Sequence, residues 1–219
     1  MRLLAVDSSS QNLSLGIIEE NKIIFEFNKR AVLGSSKIIP YIEAYLKKLS
    51  LNLDQFDAFV IGSGPGSFTG LRISFSIIKG FSIALNRPVI SIDSFFSIAY
   101  PFRQRQQRIA VISDARRNLI YAATFLANNG ILKKETKAYL FDMEDFIKRK
   151  RDYFFITPDE SILKDILNKY PQLKFYPKEV YPNAKFLLRL AKEYYVKKRF
   201  TPLEKLEPLY LHPKTCQVK

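Results

Sequence analysis

The 219-residue sequence predicts an α/β fold built as two copies of one plan, on three observations. Short apolar strands alternate with amphipathic helices along the whole chain. A strand-closing aspartate recurs, Asp7 and then Asp114, each followed shortly by Asn-Leu (Asn12-Leu13 and Asn118-Leu119). The 107 residues between the two aspartates are too many for a solenoid repeat and suit a duplicated domain.

The elements follow in order. Residues 3–6, 13–18 and 23–27 read as strands, the last two joined by the turn Glu19-Glu20-Asn21-Lys22. A helix over 36–49 carries Ile38, Ile42, Tyr45 and Leu49 on one face with Ile39 and Leu46 beside it, a stripe wider than one sheet contact requires. Pro40 falls in its first turn, where it costs at most one hydrogen bond. A strand at 58–61, a helix from Thr69 to residue 85 and a strand at 89–92 complete the first copy. The second copy has strands at 109–113 and 119–126, a turn at Asn128-Asn129-Gly130, a strand at 131–135 and a helix over 142–149. A strand at 153–156 leads to Thr157-Pro158-Asp159-Glu160, which reads as an N-cap, an N1 proline and the glutamate of a capping box. After a strand at 173–176, Asn183 caps a final helix with Phe186, Leu187, Leu190 and Tyr194 inward, and Lys197-Lys198-Arg199 suits its C-terminal dipole. Two rounds of strand-strand-strand-helix-strand-helix-strand describe the actin-like ATPase fold of sugar kinases, acetate kinase and heat-shock chaperones. The expected division is a first lobe at 1–101, a second at 102–200 and an extended tail at 201–219, with a hinge near 101–108.

Composition narrows the chemistry. Hydrophobic residues make up 47% of the chain, enough for a globular core. No uninterrupted apolar run approaches the roughly 18 residues of a membrane span, and Asp7 breaks the N-terminal apolar stretch before it could form a signal core. A soluble, cytoplasmic protein without membrane contact is expected. Cys216 is the only cysteine, so no intrachain disulfide forms and a reducing compartment fits. His212 is the only histidine, which argues against zinc, non-haem iron and Ser-His or Cys-His chemistry. No metal site is assigned, although an all-carboxylate magnesium site stays open. The net charge of +14 divides as +2 for residues 1–100 and +12 for 101–219. A basic second half reads either as a nucleic-acid surface or as a lysine-rich solvated one.

Glycine is concentrated in one stretch, Gly62, Gly64, Gly66 and Gly70, while only Gly130 lies beyond residue 80. The stretch satisfies neither phosphate-loop nor dinucleotide spacing, since Gly70-Leu71-Arg72 replaces Gly-Lys-Ser/Thr and Ser67 stands where the third fingerprint glycine belongs. A tight turn with a capped helix is the first reading. Anion contact at Gly64, Gly66, Ser67, Thr69 and Gly70 is the second. On the following helix Arg72, Ser76, Gly80 and Ala84 recur every fourth residue and make a groove of small side chains. Together with Ile38, Ile39, Ile42, Tyr45 and Leu46 it is read as a four-helix contact with another chain, against the alternative of internal packing. Asp7 and Asp114 occupy positions where this fold places carboxylates around metal and attacking water, or else cap local turns. With no glycine loop in the second half, nucleotide catalysis by this chain alone is not expected, and the two aspartates count as vestigial.

The stretch from Gly64 to Ile73, GPGSFTGLRI, with Lys79-Gly80 after it, closely resembles the TsaB (YeaZ) family, the partner subunit in bacterial synthesis of threonylcarbamoyladenosine in tRNA. Val6-Asp7-Ser8-Ser9, Ser36 to Ile42, Asp114-Ala115-Arg116-Arg117 with Tyr121, and Pro208 to Leu211 add to the likeness. Departures are Ser8 for threonine, Ser35 for histidine and His212 for arginine. The resemblance implies a non-catalytic scaffold that pairs through its first-lobe helices with TsaD, with TsaE and tRNA completing the assembly. ATP or ADP and metal would sit on the partner, and the chain itself would hold no cofactor. TsaD carries a His-x-x-x-His metal motif, which a chain with one histidine lacks. A self-dimer fits the same face. Arg116, Arg117, Lys197, Lys198 and Arg199 are the basic candidates to face tRNA. Two other classes stay open, an independent small-molecule kinase of this fold and a stand-alone RNA-binding protein. The metalloprotease label once given to the superfamily has no histidine pair behind it.

Overall fold

The structure is a computed structural model that describes residues 1–30 and 37–211. Expectations about Ser35, Ser36, His212 and Cys216 fall outside the described residues.

The first three strands, β1 (Arg2–Asp7), β2 (Asn12–Glu19) and β3 (Lys22–Arg30), form an antiparallel meander. Helix α1 (Ile38–Lys48) leads to β4 (Ala58–Gly62), then α2 (Phe68–Leu85) to β5 (Val89–Ile92) and the short α3 (Ser94–Ala99). β4 pairs parallel to β1 and β5 parallel to β4, giving the order β3-β2-β1-β4-β5. The later part repeats the plan. β6 (Gln107–Asp114) pairs antiparallel with β7 (Leu119–Asn128), which pairs with both β8 (Ile131–Lys134) and β9 (Tyr139–Asp142). After α4 (Met143–Arg149), β10 (Phe154–Ile156) pairs parallel to β6, and after α5 (Glu160–Lys169), β11 (Lys174–Phe175) pairs parallel to β10. The order β8-β7-β6-β10-β11 matches the first sheet strand for strand. The actin-like plan read from the element order is therefore the plan of both sheets.

The last helix, α6 (Ala184–Val196), departs from expectation. The chain forms two compact units, 1–97 with 182–208, and 98–181 with 209–219, so α6 belongs to the first unit and not to a second lobe ending at residue 200. The cause lies in β1, whose Leu3, Leu4, Ala5 and Val6 are all buried. A strand buried on both faces needs cover on both. Leu4 and Val6 pack toward α1 and α2, with Ile42, Leu71, Phe75 and Ile78. Leu3 and Ala5 pack against Ala184, Leu187, Leu188 and Ala191 of α6. Of the expected inward residues, Leu187 is buried and Leu190 and Tyr194 pack partly buried against the same cluster, while Phe186 lies outside it and Ala184, Leu188 and Ala191 complete the face. Gly16 permits the close approach, since a Cβ there would stand 3.0 Å from Leu188 and 3.2 Å from Ala184. Thr201 then bridges to Val89 at the edge of β5.

The move redistributes charge. The first unit holds 17 basic and 11 acidic side chains, +6, and the second 18 and 10, +8, so the steep contrast between sequence halves largely disappears.

Two smaller differences have local causes. The third strand of the second copy is split into β8 and β9, because the amides of Glu135 and Thr136 both donate to the Thr124 carbonyl, at 2.9 and 3.2 Å, and interrupt the ladder. Helix α5 starts two residues later than expected, with Asp159 at the N-cap position and Thr157 Oγ1 accepting the Asp159 amide.

Candidate functional site

The glycine stretch and the turn after β1 form one packed unit. Asp7 Oδ1 accepts from the Ser9 amide at 2.9 Å and from the Ser9 hydroxyl at 2.6 Å. Asp7 is buried, and its Oδ2 has no hydrogen-bond partner among the described residues. Burial raises its pKa above the ordinary aspartate value; the Ser9 hydrogen bonds and the nearby Ser94 hydroxyl offset only part of this. Opposite, a Cβ at Gly62 would fall 2.0 Å from Oδ2, at Gly66 1.9 Å from the Ser9 carbonyl, and at Gly70 2.2 Å from the Ser8 carbonyl. Gly64 and Gly66 also take positive φ, +87° and +152°. The glycines thus let the loop before α2 close on the chain's own Asp7–Ser9 turn.

That closure occupies three of the amides an anion could use. The amide of Gly64 donates to Ser94 Oγ at 3.0 Å, that of Ser67 to the Ser9 carbonyl at 2.7 Å, and that of Gly70 to Ser67 Oγ at 3.2 Å. Ser67 is the N-cap of α2. Of the two readings of Gly64, Gly66, Ser67, Thr69 and Gly70, the capped turn is the one these hydrogen bonds build, with three of the loop's amides held by the chain's own oxygens.

In the second unit Asp114 plays the same local role as Asp7, its Oδ1 accepting the Arg116 amide at 2.7 Å. Its neighbour Asp159 was read only as part of a helix start. Asp159 Oδ2 accepts from the Ser113 hydroxyl at 2.6 Å and the Asp114 amide at 2.8 Å, fastening the end of β6 to the start of α5. Burial, and in smaller measure the charge of Asp114, raises its pKa. No sequence signal marks this pairing, because its partners are 45 and 46 residues away. Arg116, Arg117 and Asn118 all have positive φ, and the Arg116 guanidinium lies 3.7 Å from Asp114. Lys197, Lys198 and Arg199 close α6 in the first unit, so the five basic candidates fall in different units. Among the described residues no group of three or more His, Cys, Asp or Glu is arranged to hold a metal ion.

The predicted contact face divides sharply. Ile38, Ile42 and Leu46 are buried in the core of the first unit, and Tyr45 packs tilted against Phe25 with centroids 4.3 Å apart. These four are corrected from interface to internal packing. The wide stripe on α1 is explained by two neighbours, since Tyr41 and Tyr45 pack on Phe27 and Phe25 of β3 while Ile38, Ile42 and Leu46 share one core cluster with Leu71, Phe75 and Ile78 of α2. Ile39 alone of that group is exposed, at 51%. On α2 the whole predicted row, Arg72, Ser76, Gly80 and Ala84, faces solvent, and a Cβ at Gly80 would meet nothing within 4 Å. Exposed Phe68 and Ile83 extend the row, with Arg72 held 4.5 Å over the Phe68 ring. A groove of about 650 Å³, lined by Ile39, Leu46, Leu51, Leu53 and Phe81 among others, runs beside α1. By length and composition α2 could cross a bilayer. Its Leu71, Ser74, Phe75 and Ile78 are instead buried in the fold.

Comparison with known proteins agrees with the motif. A family model described as TsaD, tRNA N6-adenosine threonylcarbamoyltransferase, matches residues 34–181, a stretch without histidine. The tRNA threonylcarbamoyladenosine biosynthesis protein TsaB of Bacillus subtilis is 27% identical over 76% of this chain and 75% of its own length. Its namesake from Escherichia coli is 25% identical over 96% and 94%. The solved structure of YeaZ from Pseudomonas aeruginosa superposes with a TM-score of 0.80 at 22% identity, covering 95% of this chain and all of that one, which establishes the shared fold. Since the family model spans more than half of the sequence and the named relatives are of one type, the chain belongs to the threonylcarbamoyltransferase family, on its TsaB (YeaZ) branch.

Proposed function

We propose that this chain acts in tRNA threonylcarbamoyladenosine synthesis as a scaffold without catalysis of its own, pairing with a TsaD homologue through the outer face of α2 and the adjoining edge of α1. The observation that carries the reading is the mismatch between the composition of α2 and its burial. Arg72 and Lys79 are the only charges in 18 residues, yet 33% of the helix is buried. Phe68, Ile83 and the open notch at Gly80 form one continuous outer row with Ser76 and Ala84. An apolar, small-residue helix face of this kind is suited to close helix packing against another chain. A self-dimer through the same face would compete with the heteromer.

TsaE and tRNA complete the assembly, ATP or ADP and metal belong to the partner, and the complex works in the cytoplasm. The kinase alternative gains no support, because Gly130 is the only glycine in the second unit, which leaves that unit without a glycine loop for phosphates. The deciding experiment co-expresses this chain with the TsaD and TsaE homologues of its genome and assays tRNA modification with and without it. Modification that proceeds equally well without the chain would sink the proposal.

A further inference from the structure

We propose that the edge of the second unit from which β6 and β10 start binds a single-stranded segment of RNA, phosphates on its cations and one unstacked base in the adjoining cavity. The inference deepens the tRNA-modification reading and rests on it for the choice of RNA among polyanions.

The sheet topology gathers the cations. β6 and β10 run parallel with Phe154 beside Ile109, so the approach to β6 and the exit from α4 meet at one end of the sheet. The first brings Arg103, Arg105 and Arg108, the second Arg149, Lys150 and Arg151. Aromatic rings hold four of them in place. Arg105 stands 5.3 Å over Phe154 and Arg103 4.1 Å over Tyr100. Lys150, at 4.8 Å, and Arg108, at 5.7 Å, share the ring of Tyr153. Two acids belong to this edge and two more, Asp142 and Asp145, to the rim of the adjoining cavity. Glu135 pairs with Arg108 at 3.4 Å, and Asp152 is exposed, so the six cations outnumber the four acids. Cations fixed over rings lose little freedom when they meet phosphate.

The cavity decides between polyanions. Where β8 breaks from β9, about 440 Å³ opens between Thr124, Thr136, Phe141, Phe146, Arg149 and Lys150. Its aromatic walls suit stacking. Its polar rim, completed by Asp142 and Asp145, offers acceptors for the exocyclic amine of a base. Single-stranded RNA presents splayed bases to aromatic side chains, whereas a duplex keeps them stacked inside. An acidic protein or lipid surface would use the cations and leave the cavity unused.

The test measures anisotropy of a labelled single-stranded RNA oligonucleotide of mixed sequence against the full chain across a salt series. A duplex RNA of equal length and phosphatidylserine vesicles serve as competitors. Arg105→Ala with Arg151→Ala should weaken single-strand binding at least about tenfold and flatten the salt dependence by about 1.4 in slope, two contacts at about 0.7 each. Phe141→Ala should weaken single-strand binding while leaving the salt slope and duplex binding as they were. Arg149→Ala, which removes a cation shared by the edge and the exposed rim of the cavity, should weaken single-strand binding and flatten the salt dependence by about 0.7 in slope, without touching the core. Equal affinity for duplex and single strand, stronger competition by the vesicles, or indifference to both the Phe141 and Arg149 changes would overturn the proposal. Capture of the TsaD homologue is read in parallel: the arginine variants should retain it, so failure here is distinguishable from failure of the pairing itself.

Discussion

A Cβ atom placed on Gly62 would stand 2.0 Å from Oδ2 of Asp7, so the end of β4 and the end of β1 are held at a separation only glycine allows. Gly62→Ala must push the buried carboxylate or the strand aside. Overpacking of this kind typically costs about 1 to 3 kcal/mol. A urea melt of the variant should show that loss, with the secondary structure retained.

The same carboxylate gives a pH dependence of definite sign. Burial raises the Asp7 pKa in the folded state above the unfolded 3.8, so the protonated form is the one the fold favours. Its contribution to stability is full below the unfolded value and is lost as pH rises through the folded one. Asp7→Asn should therefore be more stable than the parent at pH 8, and the difference should shrink as pH falls. An Asn variant less stable at every pH would mean that Oδ2 has a bound partner in solution.

Asp159 is the counterpart test in the second unit. Asp159→Ala leaves the Ser113 hydroxyl and the Asp114 amide without their acceptor, a loss of about 1 to 3 kcal/mol for each buried group left unpaired. Thermal unfolding should register it, and Asp159→Asn should recover part of it through the retained carbonyl oxygen.

Gly80→Leu fills the open notch on α2. Because a Cβ there meets nothing and glycine is the poorer helix former, the monomer should melt no lower than the parent. Binding of the TsaD homologue should weaken roughly tenfold or more, as about 1.4 kcal/mol of misfit implies. Ile83→Glu, at a position 68% exposed, should act in the same direction. Undiminished capture by both variants would move the contact elsewhere.

The domain division can be tested by truncation. A fragment of residues 1–101 lacks α6 and exposes Leu3, Ala5, Val60 and Ile90 on the uncovered face of the sheet. It should aggregate or bind hydrophobic dye, whereas the intact chain should not.

The sequence by itself determined what is local or periodic. Strand and helix order, the duplication at Asp7 and Asp114, the capping by Asn183, and the four-residue row on α2 all depend on spacing along a few turns of chain. The tertiary structure decided what each buried face meets. Amphipathic periodicity shows that α6 hides one face, but not that the face lies on β1 of the first unit, some 180 residues earlier in the chain. It could not separate Ile42 and Leu46, which are core, from Ile39, which is not, because a wide stripe can serve a sheet and a neighbouring helix at once. The glycine cluster reads as a tight turn first and as room for an anion second, and only the fold shows which part of the chain, the Asp7–Ser9 turn, packs against it. The partners of Asp159, the break between β8 and β9, and the meeting of Arg105, Arg108 and Lys150 at one edge arise from strand pairing across the fold, which no window along the sequence contains.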